Sequence, residues 1–595
     1  MRLCLLILLL MALCVSGGIF DGVGSKVKDL LSGGKTLGEK IKNATKKGFS
    51  KFLNVTRLVN IREKFDKLRD KIKKTLQLSP ERLAALKEKL SKLKPMKREK
   101  VHEEGDSIEE INEKSEVDGL LFQSDIVLTP EQAEDIAEDI EEQATGKARK
   151  RRQAYKDRTY EQTLWKDGVN YYFDSSTPEK VRSVFRKATW IWGNNTCIDF
   201  RESSAAPHRI RVVHQKGCWS YVGNLRKEQD VCLGKGCETI GTATHELAHA
   251  LGFFHTHSRH DRNNYITVNH MNMAMQHMDQ FTKESEDRND NYGLKYDWGS
   301  NVHYGAHAGT INGGPVLVPN DVDYMETLGS RFLSFYDIVM MNKHYRCLGK
   351  FIEIAGVILE MMCHITGLLD KCKNYATYCE NRGIRNPRNC NECLCPLGYS
   401  GKFCAERPQS VNSKCQGKTV TATQTYQNLT ITLGKEGKDE QEEFEQCFFW
   451  IESPPNTQLE VRVAGLNGTY PNDGCPYAGV ELKMRRDPRL TGRRLCSSKF
   501  VGRSWVSKTN RTVVMGYSNK GLTTIELQYR FVTDGKPGPT PSTPKPKFTF
   551  NTPRGWKCED QSICNIIKST VCDPKSLTYD IDKKARTCPK ACGLC

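Results

Sequence analysis

Two histidines four residues apart, His245 and His249, with Glu246 beside the first, carry the residue types best suited to chemistry in this chain. On a helix the i, i+4 spacing stacks both imidazoles on one face, where they can share one metal ion. Glu246 can take a proton from a water polarised by that metal. Gly252 then permits the chain to turn, and His255 can return as a third ligand. Three protein ligands leave a position open for water, as a hydrolytic zinc requires, and bound zinc lowers that water's pKa towards ~7. A bare His-Glu-x-x-His arises by chance on helices, whereas His245-Glu246-x-x-His249-x-x-Gly252-x-x-His255 fixes five positions over eleven. His257, His260, His270 and His277 lie outside any such pattern and read as surface or packing histidines.

The elements that must hold these residues are visible in the periodicity. Thr239 to Phe254 is helix-like, Lys180 to Trp192 has helical period, and Arg209 to His214 alternates as a short strand. Helices and strands within one unit, 153–347, predict an α+β domain.

The whole chain has 595 residues, which at about 150 per domain suggests roughly four units. Arg2, the apolar run Leu3 to Val15 and the small residues Ser16 to Gly18 follow the order of a secretory signal peptide, 1–17, too short to cross a bilayer comfortably. Most of the 24 cysteines cluster in the C-terminal half, which in a secreted, extracellular chain reads as disulfides. Sequons begin at Asn43, Asn54, Asn194, Asn428, Asn467 and Asn510 and predict glycosylation. The net charge of +18 owes much to lysines between Lys26 and Lys100, interleaved with apolar residues at helical spacing. That is a solvated helical face rather than a nucleic-acid surface, so neither a nucleic-acid partner nor a membrane span is expected. Residues 18–152 lack cysteine, shift from basic to acidic near Glu103, and end at Arg149-Lys150-Arg151-Arg152. This matches the Arg-x-Lys/Arg-Arg rule of furin-like convertases, and the segment reads as a propeptide removed by such an enzyme.

Downstream, 348–371 is a linker, and 372–404 packs six cysteines into a unit too small for a core without staples. Residues 415–532 hold four cysteines and alternating strands such as Leu459 to Val463 and Thr524 to Tyr529, predicting an antiparallel β-sandwich. A Pro-rich linker, 533–557, leads to six further cysteines within 558–595.

The zinc motif is that of metzincins, and its continuation Gly252-Phe253-Phe254-His255-x-x-Ser258-Arg259-x-Asp261-Arg262 resembles the astacin family. The resemblance runs through 153–347, including Gly217 to Gly223, Tyr296 to Ser300 and Leu333 to Asp337. It implies a multidomain protein with an α+β astacin-type metzincin domain and one zinc per subunit on His245, His249 and His255. Glu246 would be the general base, and Tyr304 an additional ligand that swings away to stabilise the oxyanion. The implied disulfides are Cys197–Cys347 and Cys218–Cys237. Phe122-Gln123-Ser124-Asp125 resembles the family's Phe-x-Gly-Asp segment, whose aspartate caps the zinc of the zymogen. Ser124 replaces the glycine, so the backbone there is expected to take a conformation open to serine.

Cys395-x-x-Gly398-Tyr399-x-Gly401-x-x-Cys404 resembles the end of an EGF-like domain, implying Cys372–Cys390, Cys379–Cys393 and Cys395–Cys404. Cys447-Phe-Phe-Trp-Ile, with Cys475-Pro-Tyr and Cys496, is similar to a CUB domain with pairs Cys415–Cys447 and Cys475–Cys496. The tail resembles a ShK-toxin-like (ShKT) module, with Cys558–Cys595, Cys564–Cys588 and Cys572–Cys592. This combination resembles nematode astacins: secreted zinc endopeptidases, made as zymogens, acting on extracellular proteins such as matrix, cuticle, egg envelope or host tissue. A rival reading is an inactive adhesion protein, and a third is a channel-blocking toxin resting on the tail alone.

Four departures stand out. Val302 occupies the methionine position of the family's Met-turn, and Thr256 stands where many astacins carry a glutamate that meets the mature N-terminus. Cys232 has no family partner, and Ala478 replaces an aspartate common in calcium-binding CUB domains. In addition, 349–369 is an apolar insert containing Cys363. Without it Leu348 would join Asp370 directly, so it reads as a retained intron, the alternative being a real apolar helix docked on the protease with Cys363 bonded to Cys232. Mature transcripts that uniformly carry these codons would rule out the artefact.

Overall fold

A computed structural model describes residues 53–94, 96–146, 160–286, 288–348, 352–354, 357–359, 372, 377–411, 415–437, 439–533 and 535. Outside them lie the signal peptide 1–17, Asn43, Arg149, Arg151, Arg152, Cys363, the tail 558–595 with Cys558–Cys595, Cys564–Cys588 and Cys572–Cys592, and nearly all of 533–557.

The N-terminal region is helical because its sequence is well punctuated. Helices α1 (Val55–Lys67), α2 (Arg69–Leu76), α3 (Pro80–Ser91), α4 (Ile108–Lys114) and α5 (Pro130–Thr145) follow in order. Asn54, Ser79, Ser107 and Thr129 cap α1, α3, α4 and α5 through side-chain oxygens, and prolines open α3 and α5. Leu58, Val59, Phe65, Ile72 and Leu76 turn inward, while Lys67 and Lys74 face solvent. The basic region is therefore an amphipathic helical layer, as its spacing predicts.

A six-stranded sheet forms the upper part of the next domain. It comprises β1 (Ile126–Val127), β2 (Val169–Phe173), β3 (Phe200–Glu202), β4 (Arg209–Val213), β5 (Cys218–Tyr221) and β6 (Glu228–Leu233), in the order β1-β5-β6-β4-β2-β3. The pairs β6-β4, β4-β2 and β2-β3 are parallel, and β5 is antiparallel to β6. Strand β1 belongs to the N-terminal segment and adds to β5 in parallel, with Ile126 opposite Ser220. Helices α6 (Glu179–Asn195) and α7 (Ile240–Ala250) share a core with the sheet through Val184, Phe185, Trp192, Leu247 and Leu251. The lower part, with β7 (Ile266–Val268) paired to β8 (Leu317–Pro319), shares a second core with the N-terminal segment. Phe65, Ile72, Phe122, Ile136 and Ile140 from that segment join Val268, Phe281 and Val318 there. Helix α8 (Phe335–His344) closes the domain; Cys197–Cys347 and Cys218–Cys237 are disulfides.

Within the apolar insert, β9 (Ile352–Ile354) and β10 (Val357–Leu359) pair antiparallel, so these six residues are strand, not the alternative helix. The small module carries β11 (Ile384–Arg385), β12 (Cys393–Leu394) and the disulfides Cys372–Cys390, Cys379–Cys393 and Cys395–Cys404. Nine strands build the last described module: β13 (Thr419–Thr421), β14 (Gln427–Gly434), β15 (Glu445–Glu452), β16 (Gln458–Asn467), β17 (Ala478–Lys483), β18 (Arg493–Leu495), β19 (Ser504–Val506), β20 (Arg511–Ser518) and β21 (Leu522–Val532). They form sheets β13-β15-β20-β17-β18 and β14-β21-β16-β19, stapled by Cys415–Cys447 and Cys475–Cys496. The sandwich is antiparallel, as expected from the sequence, except that β13 runs parallel to β15. The sequon asparagines Asn54, Asn194, Asn428, Asn467 and Asn510 are all exposed. No helix among the described residues is long and apolar enough to cross a membrane.

Candidate metal centre and catalytic site

Helix α7 starts where Thr239 accepts a hydrogen bond from the Thr242 amide, and it is buried from Thr242 to Ala250. Trp192 and Trp165 donate their indole N–H groups to the carbonyls of Thr244 and Ala250, fixing the helix against its neighbours. His245 and His249 face the same side one turn apart, with ring centroids 4.7 Å from each other. The helix stops at Gly252, whose φ of +115° lies in a region open chiefly to glycine. A Cβ there would also come within 2.7 Å of the His344 ring. The turn brings His255 back to the same point, its ring 5.2 Å from His245.

The hydrogen bonds fix the tautomers. His245 Nδ1–H donates to the Asn301 carbonyl at 2.8 Å, and His249 Nδ1–H donates to the Phe253 carbonyl at 2.7 Å. His255 Nδ1 donates to the side-chain oxygen of Gln123 at 2.9 Å. Each Nε2 therefore presents a lone pair. The Nε2 of His245 lies 3.1 Å from that of His249 and 3.3 Å from that of His255. Asp125 Oδ2 sits 3.1 Å from His245 Nε2 and 3.2 Å from His255 Nε2. Three ring lone pairs and a carboxylate converging on one buried point repel one another unless a cation lies between them. The donor set, nitrogen and oxygen with one atom from each of four residues, suits zinc.

Glu246 is fully buried beside this point, and neither of its carboxylate oxygens has a hydrogen-bond partner among the described residues. Burial first, and then the Asp125 charge, push its pKa well above the usual carboxylate range. Tyr304 packs edge-on to His255 at 4.7 Å and lies 4.0 Å from the ring of His257.

The loop under the histidines works through its backbone. Ser300 Oγ and the Asn301 amide both donate to Asp337, and Thr256 Oγ1 donates to Ser300 Oγ. Val302 is buried in the core shared by α6 and α7. The contact that orients His245 is the Asn301 carbonyl, so the Met-turn's support survives the exchange of methionine for valine. Cys232 is the one free cysteine among the described residues, fully buried, and burial pushes its thiol pKa up.

Ser124 keeps the bend of the family's glycine at a φ that serine can reach at a cost. Its φ is +67° and that of Gln123 is +44°, so the chain keeps a glycine-type bend with two side chains in the left-handed region. Two functional contacts escape sequence reasoning. Gln123, quoted only as a spacer, accepts the outer N–H of His255. His257, read as surface or packing, is wholly buried and wedges Tyr304 while bonding the Gln280 carbonyl.

The fold and this site define a zinc metalloendopeptidase. The model of astacin, peptidase family M12A, matches residues 157–346. Zinc metalloproteinase nas-31 of Caenorhabditis elegans is 38% identical over 442 residues, spanning 74% of this chain and 68% of that protein. Zinc metalloproteinase nas-23 of the same species is 31% identical over 431 residues, spanning 72% of this chain and 74% of that protein. Among solved structures, high choriolytic enzyme 1, a hatching enzyme zinc-protease from Oryzias latipes, is 28% identical; the match covers 31% of this chain and 91% of that one with a TM-score of 0.29. The chain belongs to the astacin family, whose members use zinc.

Proposed function

We propose that the chain is a secreted zymogen whose zinc centre is held by His245, His249 and His255, capped by Asp125, and released by cleavage behind Arg152. The convergence of three imidazole lone pairs and one propeptide carboxylate carries this reading. Bound zinc supplies Lewis acidity to the attacking water and to the scissile carbonyl. Glu246, buried and unpartnered, takes the proton from that water and passes it to the leaving amine. Tyr304, steadied by His257 and His255, donates its hydroxyl to the oxyanion. Asp125 blocks this machinery at the Nε2 atoms, while Gln123 accepts from His255 Nδ1–H and holds that ring in its ligating tautomer.

Parallel pairing of β1 with β5 supports latency further, because it covers the edge of β5 on which an extended peptide could add as a strand. The substrates are extracellular proteins. The modules 372–404, 415–532 and 558–595 are read as EGF-like, CUB and ShKT units that anchor or position the protease.

The test is zinc content and peptide cleavage by the processed form beginning at Gln153. Glu246→Gln should keep its zinc and lose about 10²–10⁴-fold in turnover. Full activity of that variant sinks the mechanism. Asp125→Ala should give an uncleaved precursor with measurable activity, and an equally silent variant would remove Asp125 as the latency switch.

A further inference from the structure

The stretch 99–110 of the N-terminal segment is folded back on itself. Asp106 accepts from the Val101 and His102 amides at 2.9 and 3.0 Å, and its own amide donates to the Glu110 carboxylate at 3.0 Å. The same aspartate is gripped from outside by the sandwich. Tyr477 donates its hydroxyl to Oδ1, and Asn472 donates its side-chain amide to Oδ2 at 3.1 Å. Asn472 also reaches the Glu99 carbonyl at 3.3 Å, and the Glu99 amide donates to the Pro471 carbonyl at 2.8 Å. His102 Nε2 meets the Glu440 carboxylate, and its ring centroid lies 5.6 Å from that of Tyr477. Asp106, Asn472 and Tyr477 are all buried. Backbone and side-chain contacts thus hold this stretch on the sandwich together.

What the sandwich holds is tied in turn to the residue facing the histidines. Helix α4 begins directly after Asp106, capped by Ser107. From α4 the fully buried Asn112 donates to the Ser124 carbonyl at 2.9 Å and to the Cys218 carbonyl at 2.7 Å, and accepts from the Cys218 amide at 2.7 Å. Ser124 immediately precedes Asp125. One end of a short, internally bonded unit therefore sits on the sandwich, and its other end sets the bend that presents Asp125. The sandwich surface is itself anchored on the protease domain without help from the N-terminal segment. Asp473, next to Asn472, accepts from the His307 amide at 2.7 Å and pairs with His307 Nδ1 at 2.8 Å. The Cys475–Cys496 disulfide fixes the same loop, and the Cys496 amide donates to Glu326 at 2.8 Å.

We propose that the sandwich is a receptor for the stretch 99–106 and a working part of latency. It retains the N-terminal segment through a contact separate from the Asp125 cap and slows the segment's release after the cut behind Arg152. Loss of Asp125 uncaps the histidines and leaves the segment docked, whereas loss of the sandwich contact lets the segment go with its cap intact. The proposal rests on the reading of 18–152 as a removable propeptide.

The test uses the full-length precursor in a Glu246→Gln background, with a dye on the N-terminal segment. It is cut behind Arg152 by a furin-like convertase and diluted, and release of the segment is timed by anisotropy. Asn472→Asp keeps the side chain's size and its bond from the Asp473 amide, but sets a carboxylate against Asp106 and removes the donor to Glu99. Release should be at least about tenfold faster in this variant. Adding Asp106→Asn restores a donor and an acceptor facing each other and should recover part of the slow release. In the uncut precursor, hydrogen exchange of the amides in 108–127 should quicken in Asn472→Asp and slow again in the double variant, a readout that needs neither the cut nor activity. Release and exchange unchanged in Asn472→Asp overturn the proposal. Faster release that Asp106→Asn does not rescue overturns it too, since that is general loosening of the sandwich. Failure of the zymogen reading shows elsewhere: with Glu246 intact, an uncut precursor as active on a peptide as the processed enzyme removes latency, while a rescued release rate leaves the receptor standing.

Discussion

Gln123 and Ser124 hold consecutive positive φ values just before Asp125, so the carboxylate proposed to cap the zinc is presented from a strained bend. Glycine would relieve the strain at position 124 while adding some freedom to the detached propeptide, and the two effects oppose each other. Relief is the larger. Ser124→Gly should tighten inhibition by separately supplied propeptide about two- to fivefold, read as an inhibition constant against the processed enzyme. Weaker inhibition would show that the bend is not strained. At this scale the three-histidine cluster is legible in the sequence because its geometry is local: one helical turn, one glycine, one return. Gln123 and His257 are not, because the partners that give them meaning, His255 and Tyr304, lie 132 and 47 positions away in the chain.

Helix α5 carries part of the charge pairing between the N-terminal segment and the protease domain, through Asp135 and Asp139 against Arg288. Burial pushes Asp139 up to about 6, against the lowering pull of Arg288 and of hydrogen bonds from Ser285. In the free propeptide the same group titrates near the ordinary value of about 3.9. The docked state thus binds more protons than the free one between about pH 4 and 6. Docking is favoured below that window and weakens as pH rises through it. The affinity of isolated propeptide for the processed Glu246→Gln protein should fall between about pH 4 and 6, and Asp139→Asn should flatten part of that slope. An identical slope in the variant would assign the effect to other groups, such as Glu284 or Asp118, both raised by burial. Elements announced by caps and period are readable in advance: α6 begins at Glu179 and α7 at Ile240, each next to the expected Lys180 and Thr239. Strand β1 is not, since two residues carry no period and its place is set wholly by the edge of β5.

Across the whole molecule, the sandwich reaches the loop beneath the zinc ligands. Asp297, three residues before Ser300, accepts from both the amide and the hydroxyl of Thr491, and burial pushes it up to about 6. Thr491→Val removes the hydroxyl from a buried carboxylate and should cost about 1–2 kcal/mol. The urea midpoint should drop, and zinc should pass to a chelator faster. An unchanged rate of zinc loss would mean the sandwich does not support the centre. Sequence alone divides the chain into modules at its cysteine clusters, but it cannot show that modules far apart in sequence close over one cleft. That closure has a kinetic consequence. The N-terminal segment shares a hydrophobic core, a sheet and a sandwich contact with the rest of the chain, so on the proposed zymogen reading one cut behind Arg152 would sever a tether without dislodging it. An equilibrium that ignored concentration becomes one that depends on it. On that reading, enzyme crowded at its source would recapture its own inhibitor, and each molecule would gain activity as it spreads: dilution, rather than the cut, would set where proteolysis begins.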